Sequence, residues 1–284
     1  MFEWFVEPLS SGFMSRALIA GVLISIMTAL VGSWVVIRGM TFLGEAMAHG
    51  MLPGVAVASL LGGNLLFGAA LSALAMVFGI NLLRKNTRFG QDTAIGLLYL
   101  GMLSVGVIIV SYSQSFAVDL TAFLFGDILG VREPELTSLW LALGFVAIVS
   151  MLSYRSFLAL SFDYRKAQTL GLKPGLMNLV MLLLIVVSVA ASFQAVGTLL
   201  AFGMLIAPSA TALLLVRRIP LVMLLAAILG SLATFIGLLI SWHGGTAAGS
   251  TIVAVEVLMF FLAATFAWLK TQLFRRNTLQ KSIA

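Results

Sequence analysis

Glu45 and His49 are the two residues whose types and spacing most clearly suggest chemistry, in the run GEAMAHGMLPG. Four positions apart on a helix, they share one face with Cβ atoms about 6 Å apart. A carboxylate and an imidazole at that spacing can chelate one divalent cation. With no cysteine in the chain, the donors are oxygen and nitrogen, which suit manganese, zinc or iron(II) and disfavour copper(I). The alternative is a Glu–His hydrogen bond that locks two helices. Gly44, Gly50 and Gly54 with Pro53 permit close backbone approach and a helix irregularity, tolerated inside a membrane only beside protein or a water-filled path. Two further ionisable groups stand in apolar surroundings, where each costs at least about 2.5 kcal/mol. His243, in SWHGGTAAG, reads as an interfacial residue, with a gate or entry ligand as the alternative. Glu256 has no ionisable partner at i±3 or i±4. It reads as a glutamic acid hydrogen-bonded to a neighbouring helix, or as a second polar group along a path. Asp127 in FGDILG reads as a turn cap.

The elements that must hold these groups are set by composition. Of 284 residues, 61% are hydrophobic and 9% charged, where a soluble domain carries about 25% charged residues. The mean hydropathy is +1.14. An ordinary soluble enzyme is excluded, as are a disordered chain and a collagen. The remaining class is an all-α polytopic membrane protein. The net charge of +6 sits in short basic clusters between apolar runs, which is the pattern of loops kept on one side of a membrane and argues against nucleic acid as partner. The start, MFEWFVEPLSSGF, has no basic n-region and is not a secretory signal peptide.

A hydrocarbon core of about 30 Å needs roughly 20 helical residues per crossing. Nine runs fit: 17–37, 42–61, 64–83, 93–113, 136–153, 176–194, 195–215, 220–241 and 250–269. The run 116–130 fits a re-entrant or interfacial helix. With the C-terminus inside, every Lys and Arg except Arg16 and Arg132 falls on the cytoplasmic side, so nine spans place the N-terminus outside. The whole of 1–284 reads as one transmembrane domain with a basic cytoplasmic tail at 270–284. The inner loop 161–175 mixes charged and apolar residues. Its core, 163–172, can form a short amphipathic helix stopped by Gly171 and Pro174, suited to docking a cytoplasmic partner or serving as a plain connector. There is no P-loop, no H-E-x-x-H and no G-x-S-x-G, which removes ATP binding by this chain through that motif and the commonest intramembrane hydrolases.

These residues resemble the permease subunits of bacterial manganese/zinc/iron(II) ABC importers. The resemblance runs through SRALIAGVLISIMTALVGSWVVIRGMTFLGEAMAHGMLPGVAVA, FGDILG, the loop residues Ala167, Gly171 and Leu172, and GTLLAFGMLIAPSATALLL, and so covers nearly the whole chain in order. It implies a type II importer permease in the cytoplasmic membrane: a homodimer around a central path, with no catalytic activity or resident cofactor of its own. Two cytoplasmic ATPase subunits would use ATP and dock at 161–175, through Asp163, Ala167, Gly171 and Leu172. An extracytoplasmic metal-binding protein would deliver the ion, and Glu45 and His49 would ligate it in transit. The acidic residue in this motif is usually Asp in the family, and here it is Glu45. The late D-x-PTG segment appears here as GGTAAGSTIV, without its acid. Two alternatives stand beside this: a type II permease for a siderophore, haem or cobalamin, and a self-contained secondary cation transporter.

Overall fold

A computed structural model describes residues 11–86, 91–111, 126–162 and 164–283. Among them the chain is helical, with α1 (Gly12–Ile37), α2 (Thr41–Gly50), α3 (Leu52–Leu60), α4 (Leu65–Asn86) and α5 (Gln91–Ser111), then a 3-10 turn (Ile128–Gly130), α6 (Glu133–Phe162), α7 (Tyr164–Thr169), α8 (Pro174–Leu215), α9 (Ile219–Gly244) and α10 (Ala248–Ile283). Among the described residues, eight segments are long and apolar enough to cross a membrane. Helices are the only solution for such runs, because each backbone amide must find its partner inside the segment. Side-chain hydroxyls follow the same rule. Ser25, Thr28, Ser33 and Thr234 each donate to the carbonyl four residues back, at 2.7, 2.7, 2.7 and 2.9 Å.

The centre of the bundle is α1, which packs on α6, α8 and α9 and is apolar on every side, as a helix buried all round must be. Trp34 is 1% exposed and meets Tyr154 and Phe157 of α6 edge-on, with ring centroids 5.5 and 5.7 Å apart. Glycine sets the closest approaches. A Cβ on Gly32 of α1 would overlap the Leu205 carbonyl of α8, the small-residue contact that lets helices associate without a hydrophobic driving force. The outer faces of α6 (Trp140, Leu141, Phe145, Ile148, Met151, Leu152) and α10 (Leu258, Phe261, Leu262, Phe266, Trp268) are exposed and apolar, which suits contact with lipid.

Three expectations about the elements change. The expected span 42–61 is two short helices that break at Met51, because Pro53 offers no N–H to the preceding turn. The runs 176–194 and 195–215 are two spans as expected, Pro174–Phe193 and Ala195–Leu215, and α8 is broken where they meet by Gly197 (φ 74, ψ 168), a backbone conformation only glycine adopts without strain. Gly126 is pressed into that break, where any Cβ would overlap Val196 and Gly197. The helix expected over 163–172 is shorter, Tyr164–Thr169. The expected tail continues the last helix, as α10 runs to Ile283. The 116–130 segment lies largely outside the described residues. Its end behaves as expected, since Asp127 caps the 3-10 turn by accepting from Gly130 N at 3.1 Å.

Candidate functional site

The site is built on α2. One side of this short helix is locked into the bundle: Gly44 faces Phe202 and Leu205 of α8, and Gly50 faces Met76 of α4. Leu43, Ala46, Met47 and Ala48 are buried. The remaining stripe, Phe42, Glu45 and His49, has helical spacing and stays partly open. The chain therefore seals neither polar side chain away nor turns it fully outward. Glu45 and His49 do lie within electrostatic reach of each other.

Over this stripe sits Tyr99 of α5. Its ring is 5.5 Å from that of His49 at 74° and 5.8 Å from that of Phe42 at 65°, both edge-to-face arrangements of favourable quadrupole geometry. Tyr99 fixes the side from which the imidazole is approached. No spacing rule connects it to His49, and its only sequence signal is a polar aromatic inside an apolar run.

The break that ends α2 is itself compensated. Pro53 has no N–H to give the His49 carbonyl four residues back, and in the same turn Ser72 Oγ of α4 donates to the neighbouring Gly50 carbonyl at 2.7 Å. Ser72 is buried, so the bond stands in for water at the point where the backbone departs from regular helix. Replacing Ser72 with alanine removes about 1 kcal/mol. We expect a lowered unfolding temperature of the purified protein and an unchanged oligomeric state by size exclusion.

The other expected site residues are not brought here. His243 is exposed near the end of α9, with Nδ1 2.9 Å from the Leu239 carbonyl of its own helix. Glu256 is 2% exposed on α10, and the hydrogen bond expected to a neighbouring helix is absent, as neither carboxyl oxygen has a partner. The cause is local. The same face of α10 meets Gly203 of α8 through Val253 and Gly237 of α9 through Ile252, glycines with no side chain to offer. Neither α9 nor α10 packs on α2. Among the described residues no three His, Cys, Asp or Glu side chains gather into a metal-holding cluster. Glu45 and His49 can thus supply two donors, and the remaining places of a four- to six-coordinate ion must come from outside this set.

On the 161–175 loop, Ala167 of α7 is fully buried, so the short helix is seated on the bundle by a residue too small to hold it off. Leu172 N bonds Ala167 O at 3.1 Å and Gly171 N bonds Gln168 O at 3.0 Å, with Gly171 at φ 73 closing the helix in the usual left-handed glycine stop. Asp163 lies outside the described residues.

Comparison with known proteins gives a consistent result. A family model described as the ABC 3 transport family matches residues 10–267. The manganese transport system membrane protein MntC of Listeria innocua is 34% identical over 265 residues, 93% of this chain and 94% of that protein. The chelated iron transport system membrane protein YfeD of Yersinia pestis is 32% identical over 271 residues, 95% and 91% of the two chains. Among solved structures, PsaBC from Streptococcus pneumoniae in complex with Fab has a TM-score of 0.81 at 31% identity, covering 93% of this chain and 95% of that one.

Proposed function

The chain belongs to the ABC 3 transport family, and we propose that it is the membrane permease of an importer for a divalent transition-metal ion, manganese(II) first among manganese, iron(II) and zinc. The observation that carries the reading is the Glu45–His49 pair, held on the one partly open face of a helix that is otherwise locked into the bundle. A bare divalent ion cannot enter hydrocarbon. A path must therefore offer donors in place of hydration, and must release the ion again. Two protein donors on a half-exposed face suit that transient task. The manganese and iron transport names of the relatives favour the same oxygen/nitrogen-binding metals.

The remaining donors come from water and from a second copy of the chain in a homodimer, with the Phe42–Glu45–His49 stripes turned toward the shared path. His243 and Glu256, on helices that do not pack on α2, take no part in this pair. The ATPase contact is the α7 loop, through Gly171 and Leu172, with buried Ala167 seating the helix on the bundle and Asp163 as a further contact. ATP is hydrolysed by the partner subunits, and an extracytoplasmic protein delivers the ion.

The test is uptake into vesicles holding the permease with its ATPase, supplied with its binding protein and radioactive manganese(II), with and without ATP. Uptake independent of ATP would point to a self-contained carrier. Metal must compete with protons for the neutral imidazole and the ionised carboxylate. Protons win as the external pH is lowered and the imidazole is protonated, so uptake drops on acidification.

A further inference from the structure

At the base of α2 lies a contact that links the metal helix to the proposed ATPase contact. Arg38 caps the C-terminal end of α1, three residues before α2 begins. Its Nη2 donates to Asn178 Oδ1 at 3.0 Å, and its Nη1 lies 3.4 Å from Met181 Sδ. Asn178 is 5% exposed and Met181 1%, and both belong to the beginning of α8. A buried amide on an apolar helix requires a partner, and the charged guanidinium makes this a bond of the stronger, charge-assisted kind.

The backbone on each side of this bond is stiff. From α7 to α8, Gly171 and Leu172 bond back to Gln168 and Ala167, and Leu176 and Met177 both bond to Lys173 O at 3.0 and 3.2 Å. Lys173 at φ 43 and Pro174 fix the first turn of α8. From Arg38 to α2, Arg38 N bonds Trp34 O at 3.0 Å, Gly39 N bonds Val36 O at 3.1 Å and Met40 N bonds Val35 O at 2.9 Å. Leu43 N then bonds Met40 O at 3.0 Å. Ala167 is tied to Asn178 by a short hydrogen-bonded segment, and Arg38 is tied in the same way to Glu45. The Arg38–Asn178 bond, between residues 140 positions apart, joins the two segments beside the Arg38–Met181 contact.

We propose that Arg38 is a positioning residue that couples α7 to the Glu45–His49 helix through its bond to Asn178, so that movement of α7 by the ATPase moves α2. This deepens the reading of α7 as the ATPase contact and rests on it. An arginine at the end of an apolar helix also anchors that end at the membrane surface, but anchoring needs only charge. Coupling needs the fork of donors, which lysine lacks.

The experiment measures manganese(II) uptake and ATP hydrolysis together in vesicles holding the full importer, for wild type, Arg38→Lys, Asn178→Leu and the double variant Arg38→Lys/Asn178→Asp. Expected is hydrolysis near the wild-type rate in both single variants. Ions moved per ATP should fall by about tenfold, the factor one charge-assisted hydrogen bond is worth in a two-state equilibrium. The double variant, which replaces the bond with an ion pair, should recover part of the loss. Unchanged ions per ATP in both single variants overturns the proposal. So does parallel loss of uptake and hydrolysis without recovery in the double variant, which marks a purely structural contact. A wild-type importer whose uptake ignores ATP overturns the importer reading, and this proposal with it.

Discussion

Alanine at Glu45 or at His49 abolishes ATP-dependent manganese(II) uptake while the protein still assembles and keeps its unfolding temperature. The two halves of this outcome have separate causes. Stability is spared because both side chains lie on the partly open face of α2, away from the packed contacts of Gly44 with α8 and Gly50 with α4. Transport is lost because, among the described residues, this pair is the ionisable donor set placed on α2, and each residue supplies one of its two members. Losing a group that merely orients a metal ligand typically costs 10- to 100-fold in metal affinity or activity, so losing the ligand should cost at least about 100-fold. Glu45→Gln keeps size and one oxygen but removes the charge, and should be nearly as damaging. Glu45→Asp keeps the charge and draws the carboxylate back by one methylene, so it should retain uptake while reordering manganese, iron(II) and zinc in competition. Uptake at the wild-type level in both alanine variants would remove the pair from the path.

The pairing of Glu45 with His49 was legible in the sequence because a helix turns a spacing of four into a shared face, and nothing else had to be known. The crossings were legible for a related reason, since a segment that must satisfy its own backbone in lipid announces itself by length and apolarity. Local chemistry within those crossings also showed, as Pro53 marked the irregularity that becomes the break at Met51. What did not show depends on helices far apart in the chain. Ser72 supports the Gly50 carbonyl from 22 residues away, and Arg38 holds Asn178 across 140. Tyr99 stands over His49 from α5. These contacts follow from how glycines let helices approach, and apolar runs carry no periodic signal that says which glycine faces which helix. The same gap explains Glu256. On the turn of α10 before it, the contacts with α8 and α9 fall on Gly203 and Gly237, which offer no side chain. Ends of elements were also hard to place. α10 continues past the apolar run because basic residues are good helix formers, and only hydropathy marks 269 as a limit.

The second large effect concerns the clamp that holds α3, and through it the end of α2, against α4. Gly54 and Gly68 face each other so closely that a Cβ on Gly54 would overlap the Gly68 carbonyl and a Cβ on Gly68 would overlap the Gly54 carbonyl. The clash is reciprocal and involves backbone, so no flexible side chain can yield. Gly54 directly follows Pro53, and Ser72 bonds the Gly50 carbonyl one turn beyond Gly68. Separating the helices at this point therefore also removes the Ser72 bond to the Gly50 carbonyl at the end of α2. Overpacking costs about 1–3 kcal/mol where side chains can adjust, and a backbone-to-backbone overlap belongs at or above the top of that range. Gly54→Val and Gly68→Val are expected to lose most of the folded protein in detergent, with a broad or aggregated size-exclusion profile and a sharply lowered unfolding temperature. Gly96→Ala and Gly101→Ala on α5 are the controls, because a Cβ at either position meets nothing within 4 Å. Replacing a helix-interior glycine with alanine there should leave stability equal or raise it by up to about 1 kcal/mol. If the two valine variants melt with the controls, α3 and α4 are not in contact at these glycines, and the support assigned to the site from that side falls with it.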